Sequence, residues 1–282
     1  MHVNVVDVAD PADVRLDDFR DLNSVDRRPD LPTGKGLVIA EGVLVVQRML
    51  ASRFVLRAMM GTDRRLAELA EDLDGVSAPY YRVQPDVMAE VVGFHLNRGV
   101  LASASRPGEL SITQVLAGAV GPATSGRCAR TIAVLEGVND HENLGSIFRN
   151  AAGLDVDAVV FGAGCADPLY RRAVRVSMGH ALLVPYAWAT DWPDELHLLR
   201  DNGFRLMAMT PDPGARTLAE AMPALADQKL AVLVGAEGPG LTERAMRASD
   251  LRVRIPMSRG TDSLNVATAA ALAFYERARL VS

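Results

Sequence analysis

GVNDHENLGSIFRNAAG (137–153), VLVGAEGPGL (232–241) and IPMSRGTDSLNVATAAALAFYE (255–276) are three short polar stretches that follow or interrupt apolar runs of strand length. Small and polar residues at strand ends are what open α/β sheets use to build ligand sites. Around these stretches the apolar runs TIAVLEG (131–137), VDAVVFG (156–162), ALLVPYAW (181–188), FRLMAMT (204–210), LAVLVG (230–235) and LRVRIP (251–256) alternate with segments of helical pattern. That alternation predicts a parallel sheet covered on both faces.

Upstream the pattern changes. Residues 1–108 hold strand-like runs at Gly36–Ala40, Phe54–Met59 and Val100–Ala104, with helical patterns at Gly42–Ala51 and Arg64–Glu71. PGELSITQVLAG (107–118) reads as one short helix. GAVGPATSGRCAR (118–130), rich in Gly, Ser, Thr and Pro, reads as a linker. The expected organisation is therefore a domain over 1–110, a linker over 111–128 and a second domain over 129–282. TGKG at 33–36 lacks the G-x-x-x-x-G-K-[ST] spacing of a phosphate loop and reads as a turn before a strand.

Composition narrows the class. The chain has 282 residues, enough for two domains, and a formal net charge of −5. Of its 30 basic residues, Lys35 and Lys229 are the lysines and the other 28 are arginines. Arginine suits bidentate phosphate contacts, but a GC-rich coding bias gives the same skew, so whole-chain charge neither supports nor excludes a nucleic-acid partner. No apolar run reaches membrane-spanning length, and the acidic start MHVNVVDVADPADVRLDD does not read as a secretory signal. Two cysteines, Cys128 and Cys165, form no framework or metal pair, and the five histidines show no ligand spacing. A reducing cytoplasm, no membrane and no metal are expected.

The three stretches, in this order, resemble the SpoU (TrmH-like) RNA methyltransferases of the SPOUT superfamily. The words DRRPDLPTGKGLVIAEGVLVVQRML (26–50) and HLNRGVLASASRP (95–107) resemble, more loosely, that family's L30e-like substrate-binding domain. The resemblance implies an α/β fold in two parts: a small L30e-like domain, then a parallel-sheet SPOUT domain whose last segment threads a deep trefoil knot. It further implies S-adenosylmethionine as methyl donor, a ribose 2′-hydroxyl of structured RNA as acceptor, and a homodimer. Ribosomal RNA is preferred over transfer RNA; a transfer-RNA enzyme or a non-catalytic RNA-binding paralogue are the alternatives.

Site residues follow from matching the motifs. Asn143, Gly145 and Arg149 match N-x-G-x-x-x-R at the start of a helix, where Asn143 is a good N-cap and lies about 9 Å along the axis from Arg149. A capped helix with a surface arginine is the plain alternative. In GAEGPG (235–240) Glu237 is the one charge of a small-residue loop whose spacing is not that of the dinucleotide fingerprint. Ser263 and Asn265 stand at the entrance of the Ala-rich helix Val266–Arg279. The expected catalytic set is Asn143, Arg149, Glu237, Ser263 and Asn265. Gly235, Ile255, Leu264 and, with less support, Thr210 are expected to hold the adenosine end of the donor. Arg171, Arg172 and Arg175 (in DPLYRRAVRVSMGH, 167–180) are expected to meet RNA phosphate, Arg171 and Arg175 sharing a helical face. A guanidinium stays protonated in proteins, so Arg149 is expected to stabilise a developing alkoxide rather than to act as base.

Overall fold

The computed structural model describes residues 3–22, 36–118, 129–258 and 260–281. Most of the TGKG turn (33–35), most of the expected linker (119–128) and Cys128 lie outside the described residues.

The chain forms two compact units, one of 1–108 together with 167–183, the other of 109–166 together with 184–282. The first unit opens with β1 (Val5–Asp7) and a 3-10 turn over Val14–Phe19. There follow β2 (Leu37–Glu41), α1 (Val43–Leu50), β3 (Val55–Gly61), α2 (Asp63–Glu68), β4 (Tyr80–Arg82), α3 (Pro85–Val92) and β5 (Val100–Ser105). Its sheet runs β1-β4-β3-β5-β2, parallel from β1 to β3 and antiparallel across β3, β5 and β2. The expected strands and helices of this region all form. β1, β4 and α3 had no sequence expectation; β1 and β4 are strands of three residues, which carry too little periodicity to read. Leu16, Phe19, Met60, Val91, Val92 and Leu101 close its core.

The second unit carries α4 (Ile112–Leu116), β6 (Thr131–Glu136), α5 (His141–Gly153) and β7 (Ala158–Phe161). The chain then returns to the first unit with α6 (Arg171–Val176), which packs on β2 and buries Ala173 and Val174. Back in the second unit come β8 (Tyr186–Trp188), α7 (Leu196–Asp201), β9 (Phe204–Met209), β10 (Arg216–Thr217), α8 (Leu218–Ala221), β11 (Lys229–Gly235), α9 (Glu243–Arg247), β12 (Leu251–Arg254) and α10 (Val266–Val281). All the paired strands of this sheet are parallel, in the order β10-β12-β9-β11-β6-β7-β8. Every residue of β6 and β7 is buried, as expected of strands covered on both faces.

Two boundaries differ from the sequence reading. The run ALLVPYAW yields a strand only from Tyr186, because His180–Leu182 turns in a 3-10 helix and Pro185 has no N–H for a ladder. The strand expected to end at Ile255–Pro256 ends at Arg254, leaving Ile255 on the loop.

From β6 the chain moves outward through β7 and β8, then crosses to β9 on the other side of the centre. The order therefore reverses around β6 and β11, and a crevice at the carboxyl ends of these strands is the expected place for a ligand. Phe148 holds α5 onto the sheet, its ring 6.1 Å from those of both Phe161 and Tyr186. Among the described residues no helix is long and apolar enough to cross a membrane.

Candidate active site

β11 and β6 run side by side to the pair Gly235 and Glu136. Beyond Gly235 the chain folds back at once: the Gly240 N–H donates to the Ala236 carbonyl at 3.0 Å, and Gly238 and Gly240 take φ values of 85° and 70°. A Cβ at Gly235 would lie 2.1 Å from Gly240 C and Leu241 N. Glycine is thus required there by the loop's own backbone. Gly235 also lines the cleft, which it meets through its main chain.

The start of α5 also differs from expectation. Asp140, not Asn143, is the N-cap: its Oδ1 accepts from the N–H groups of Glu142 and Asn143, each at 2.8 Å. Asn143 stands one turn in, where its side chain is not needed by its own helix. It turns instead to the other two polar stretches. Asn143 Nδ2 donates to Glu237 Oε1 at 3.0 Å, Asn265 Nδ2 donates to the same oxygen at 2.8 Å, and Asn265 Nδ2 also donates to Asn143 Oδ1 at 2.6 Å.

Asn265 is oriented by a second duty. Its Oδ1 accepts from the N–H groups of Ala267 and Thr268, at 3.0 and 3.2 Å, and so caps α10. Because the oxygen is committed to the helix, the amide nitrogen must face Asn143 and Glu237. One residue from each of the three stretches is thereby joined in a closed triangle.

Beside the triangle lies a cleft of about 480 Å³. Thr210, Gly235, Glu237, Ile255, Ser263, Leu264 and Asn265 line it, which gathers seven of the expected site residues from four separate segments. Met209, Met257 and Asp262 line it as well and were not singled out from sequence. Asn143 and Arg149 do not line the cleft. Arg149 is exposed on α5 and makes no hydrogen bond or ion pair with the described residues. Neighbouring Phe148 is locked in the core, so the backbone beneath Arg149 is fixed while its guanidinium faces solvent.

The arginines of α6 are placed differently from expectation. All three belong to the first unit. Arg171 donates to Glu41 Oε2 at 3.0 Å, a carboxylate only 5% exposed, and its guanidinium stacks 5.1 Å from the Phe94 ring centroid. Its guanidinium is paired with a buried carboxylate, so the phosphate contact expected of it would compete with that pair. Arg172 is exposed and Arg175 half-buried, so the shared face expected of Arg171 and Arg175 is not a free cationic one.

A buried acid behind the loop also escaped the sequence reading. Glu136, 5% exposed, accepts from Thr242 N–H at 2.7 Å, from Thr242 Oγ at 2.8 Å and from Trp192 Nε1. The available signal was a lone Glu closing the apolar run TIAVLEG. Nearby, burial pushes the Cys165 thiol up to about 11, against hydrogen bonds from the Val138 and Gly137 backbone that pull it down.

Residues 130–275 match the model of the SpoU rRNA Methylase family. An uncharacterized tRNA/rRNA methyltransferase of Mycobacterium tuberculosis is 74% identical over 277 residues, covering 98% of this chain and 93% of its own. An AdoMet-bound rRNA methyltransferase from Sinorhizobium meliloti superposes with a TM-score of 0.77 at 21% identity, covering 98% of both chains. The SpoU methyltransferase AviRb from Streptomyces viridochromogenes gives 0.76 at 20%, covering 95% of this chain and 98% of its own. The last two establish likeness of fold; the first two go further, since the match takes in all three polar stretches that close the triangle, and the chain belongs to the SpoU rRNA methylase family.

Proposed function

We propose that the chain transfers a methyl group from S-adenosylmethionine to a ribose 2′-hydroxyl of RNA, with ribosomal RNA the first substrate to test and transfer RNA the second. The observation that carries this reading is the Asn143–Glu237–Asn265 triangle beside the cleft, with an arginine exposed on the same helix as Asn143.

The cleft suits the donor in size and chemistry. Its volume lies within the range of about 300–1,000 Å³ usual for small-ligand sites. Met209, Ile255, Met257 and Leu264 offer apolar surface to a purine, the main chain of 235–240 offers donors and acceptors to its edge, and Glu237 and Asp262 bring negative charge for a cationic ligand. When bound, S-adenosylmethionine supplies an already activated methyl group on sulfur.

The chain's own task is then alignment and charge stabilisation. Orientation of two reactants is worth up to roughly 7–11 kcal/mol. Asn143, Glu237, Ser263 and Asn265 fix the approach of the ribose, and Arg149 stabilises charge developing on its oxygen and grips a neighbouring phosphate. Mutual hydrogen bonding matters here because an asparagine held by a helix cap has one amide orientation to offer.

RNA recognition is assigned to the first unit, read as L30e-like, with Arg172 the best placed cation of α6. A homodimer and a knotted C-terminal segment belong to the same reading. The dimer is supported by Leu272 and Tyr275, 39% and 54% exposed, which form an apolar stripe on α10 one turn apart. A cytoplasmic location follows from an RNA substrate.

The deciding experiment maps 2′-O-methyl positions on total RNA from cells with and without the protein. One nucleotide should lose its methyl group and regain it when purified protein and donor are added. Methylation found on a base instead would sink the ribose assignment.

A further inference from the structure

We infer that Glu136 is a positioning residue: its backbone pairs with Gly235 where the loop 235–242 begins, its buried carboxylate holds Thr242 where the loop returns, and together they set the shape of the cleft. The part of this that concerns donor binding rests on the reading given above.

Glu136 does not itself line the cleft. It acts from behind. At the loop's exit, Gly235 is its partner in the β6–β11 ladder. At the return, Thr242 gives the carboxylate two donors, its N–H to Oε2 and its Oγ to Oε1. The hydroxyl of Thr242 also accepts from Ala245 N–H at 3.3 Å, so the same contact fixes the start of α9. Trp192 Nε1 is the third donor, to Oε1, and its ring fills the space over Gly162, where a Cβ would come within 2.5 Å of it.

Three donors converge on one side chain. A carboxylate accepts at both oxygens and satisfies all three, whereas a carboxamide presents N–H groups on one side. In Glu136→Gln, an amide oxygen in place of Oε1 would set the NH₂ against the Thr242 N–H. An amide oxygen in place of Oε2 would set the NH₂ against Trp192 Nε1. Neither orientation avoids a donor facing a donor. The carboxylate is therefore a requirement of the network rather than of the strand, which would accept any apolar residue there.

The test uses the full-length protein and the variants Glu136→Gln, Thr242→Val and Glu136→Gln/Trp192→Phe. Amide hydrogen exchange of residues 236–242, measured without any ligand, should speed up at least about tenfold in Glu136→Gln. Donor affinity, measured by calorimetry with S-adenosylmethionine well below the melting temperature, should fall by about tenfold or more, one such factor being the worth of a single lost hydrogen bond to a charged group. Thr242→Val, which keeps the carboxylate and the backbone donor, should show the same effects at smaller size. In the double variant the clashing indole donor is gone, so part of the affinity and of the exchange protection should return. A merely structural Glu136 would lower the melting temperature while leaving loop exchange and donor affinity as in wild type, and that outcome, or a double variant worse than Glu136→Gln alone, overturns the proposal. Should wild-type protein give no heat with S-adenosylmethionine, the donor assignment falls, while the exchange data still decide whether Glu136 holds the loop. Should Glu136→Gln not fold, Thr242→Val carries the test alone.

Discussion

Arg149 and Asn143 sit six positions apart on one helix, yet they stand in opposite situations. Asn143 is held on both sides by Glu237 and Asn265; Arg149 has no partner among the described residues. Removing Arg149 should therefore cost function without costing shape. In Arg149→Ala, methyl transfer should fall by roughly 100-fold or more, the usual loss on deleting a transition-state charge stabiliser, while donor affinity and melting temperature stay near wild type. Steady-state turnover beside calorimetry checks this, and turnover above a tenth of wild type contradicts it. Cys165 gives a second prediction at this scale. Its thiol is pushed up to about 11 by burial, well above an ordinary thiol, so thiolate at pH 8 is scarcer than usual by a factor on the order of 100. Iodoacetamide should modify native Cys165 slowly at pH 8, the rate rising with pH until about 11; mass spectrometry of its peptide reads the result, and rapid labelling at pH 8 refutes it. The sign also bears on stability. A folded-state value raised above the unfolded one favours the native state at low pH, and that contribution is lost as pH climbs through about 11.

At the scale of elements, α10 shows how a helix can be legible in extent and opaque in purpose. The Ala-rich run predicts a closely packed helix, and Ala267, Ala270, Ala273 and Phe274 are buried. The same stripe continues into Arg277, 1% exposed, whose guanidinium donates to the carbonyls of Leu225, Ala226 and Gln228 and to Thr131 Oγ. One charged side chain thus ties α10 to the turn before β11 and to the first residue of β6. Burial and the charge of Arg130 both disfavour its cation, and Asp227 and Asp157 oppose them. Arg277→Met would leave three carbonyls without their donor and should destabilise the fold by roughly 3 kcal/mol or more. Chemical denaturation of wild type and variant measures this. A change below about 1 kcal/mol would mean that water replaces the guanidinium at little cost.

Across the whole molecule the two compact units do not follow the linear order of the chain, since 167–183 joins the first unit. The expected second domain, 129–282, contains every strand-end motif and so invites a cut near residue 127. The packing of α6 argues against it. A chain beginning at Arg127 would carry Ala173 and Val174 without the β2 surface that buries them, and Arg171 without Glu41. Such a fragment should aggregate or bind a hydrophobic dye strongly, whereas the intact protein should not. Size-exclusion with light scattering and dye fluorescence checks it; a monodisperse fragment that binds no dye would show that α6 finds other cover.

What the sequence determined by itself was local and periodic. Continuous apolar runs specified parallel buried strands, polar residues at their ends marked the side of the sheet where the cleft opens, and matching motifs named seven residues that line it. It could not show which side chain spends itself on which partner. Asp140 rather than Asn143 caps α5, Arg171 answers a buried glutamate, Gly235 makes way for its own loop, and Glu136 and Arg277 hold elements together from within. The partners of Glu136, Arg171 and Arg277 lie as far as 106, 130 and 146 residues away in sequence, brought within hydrogen-bond distance only when the sheets have closed. Hydrogen bonds act over about 3 Å. A pattern along the chain therefore records burial well, and only the folded chain decides pairing.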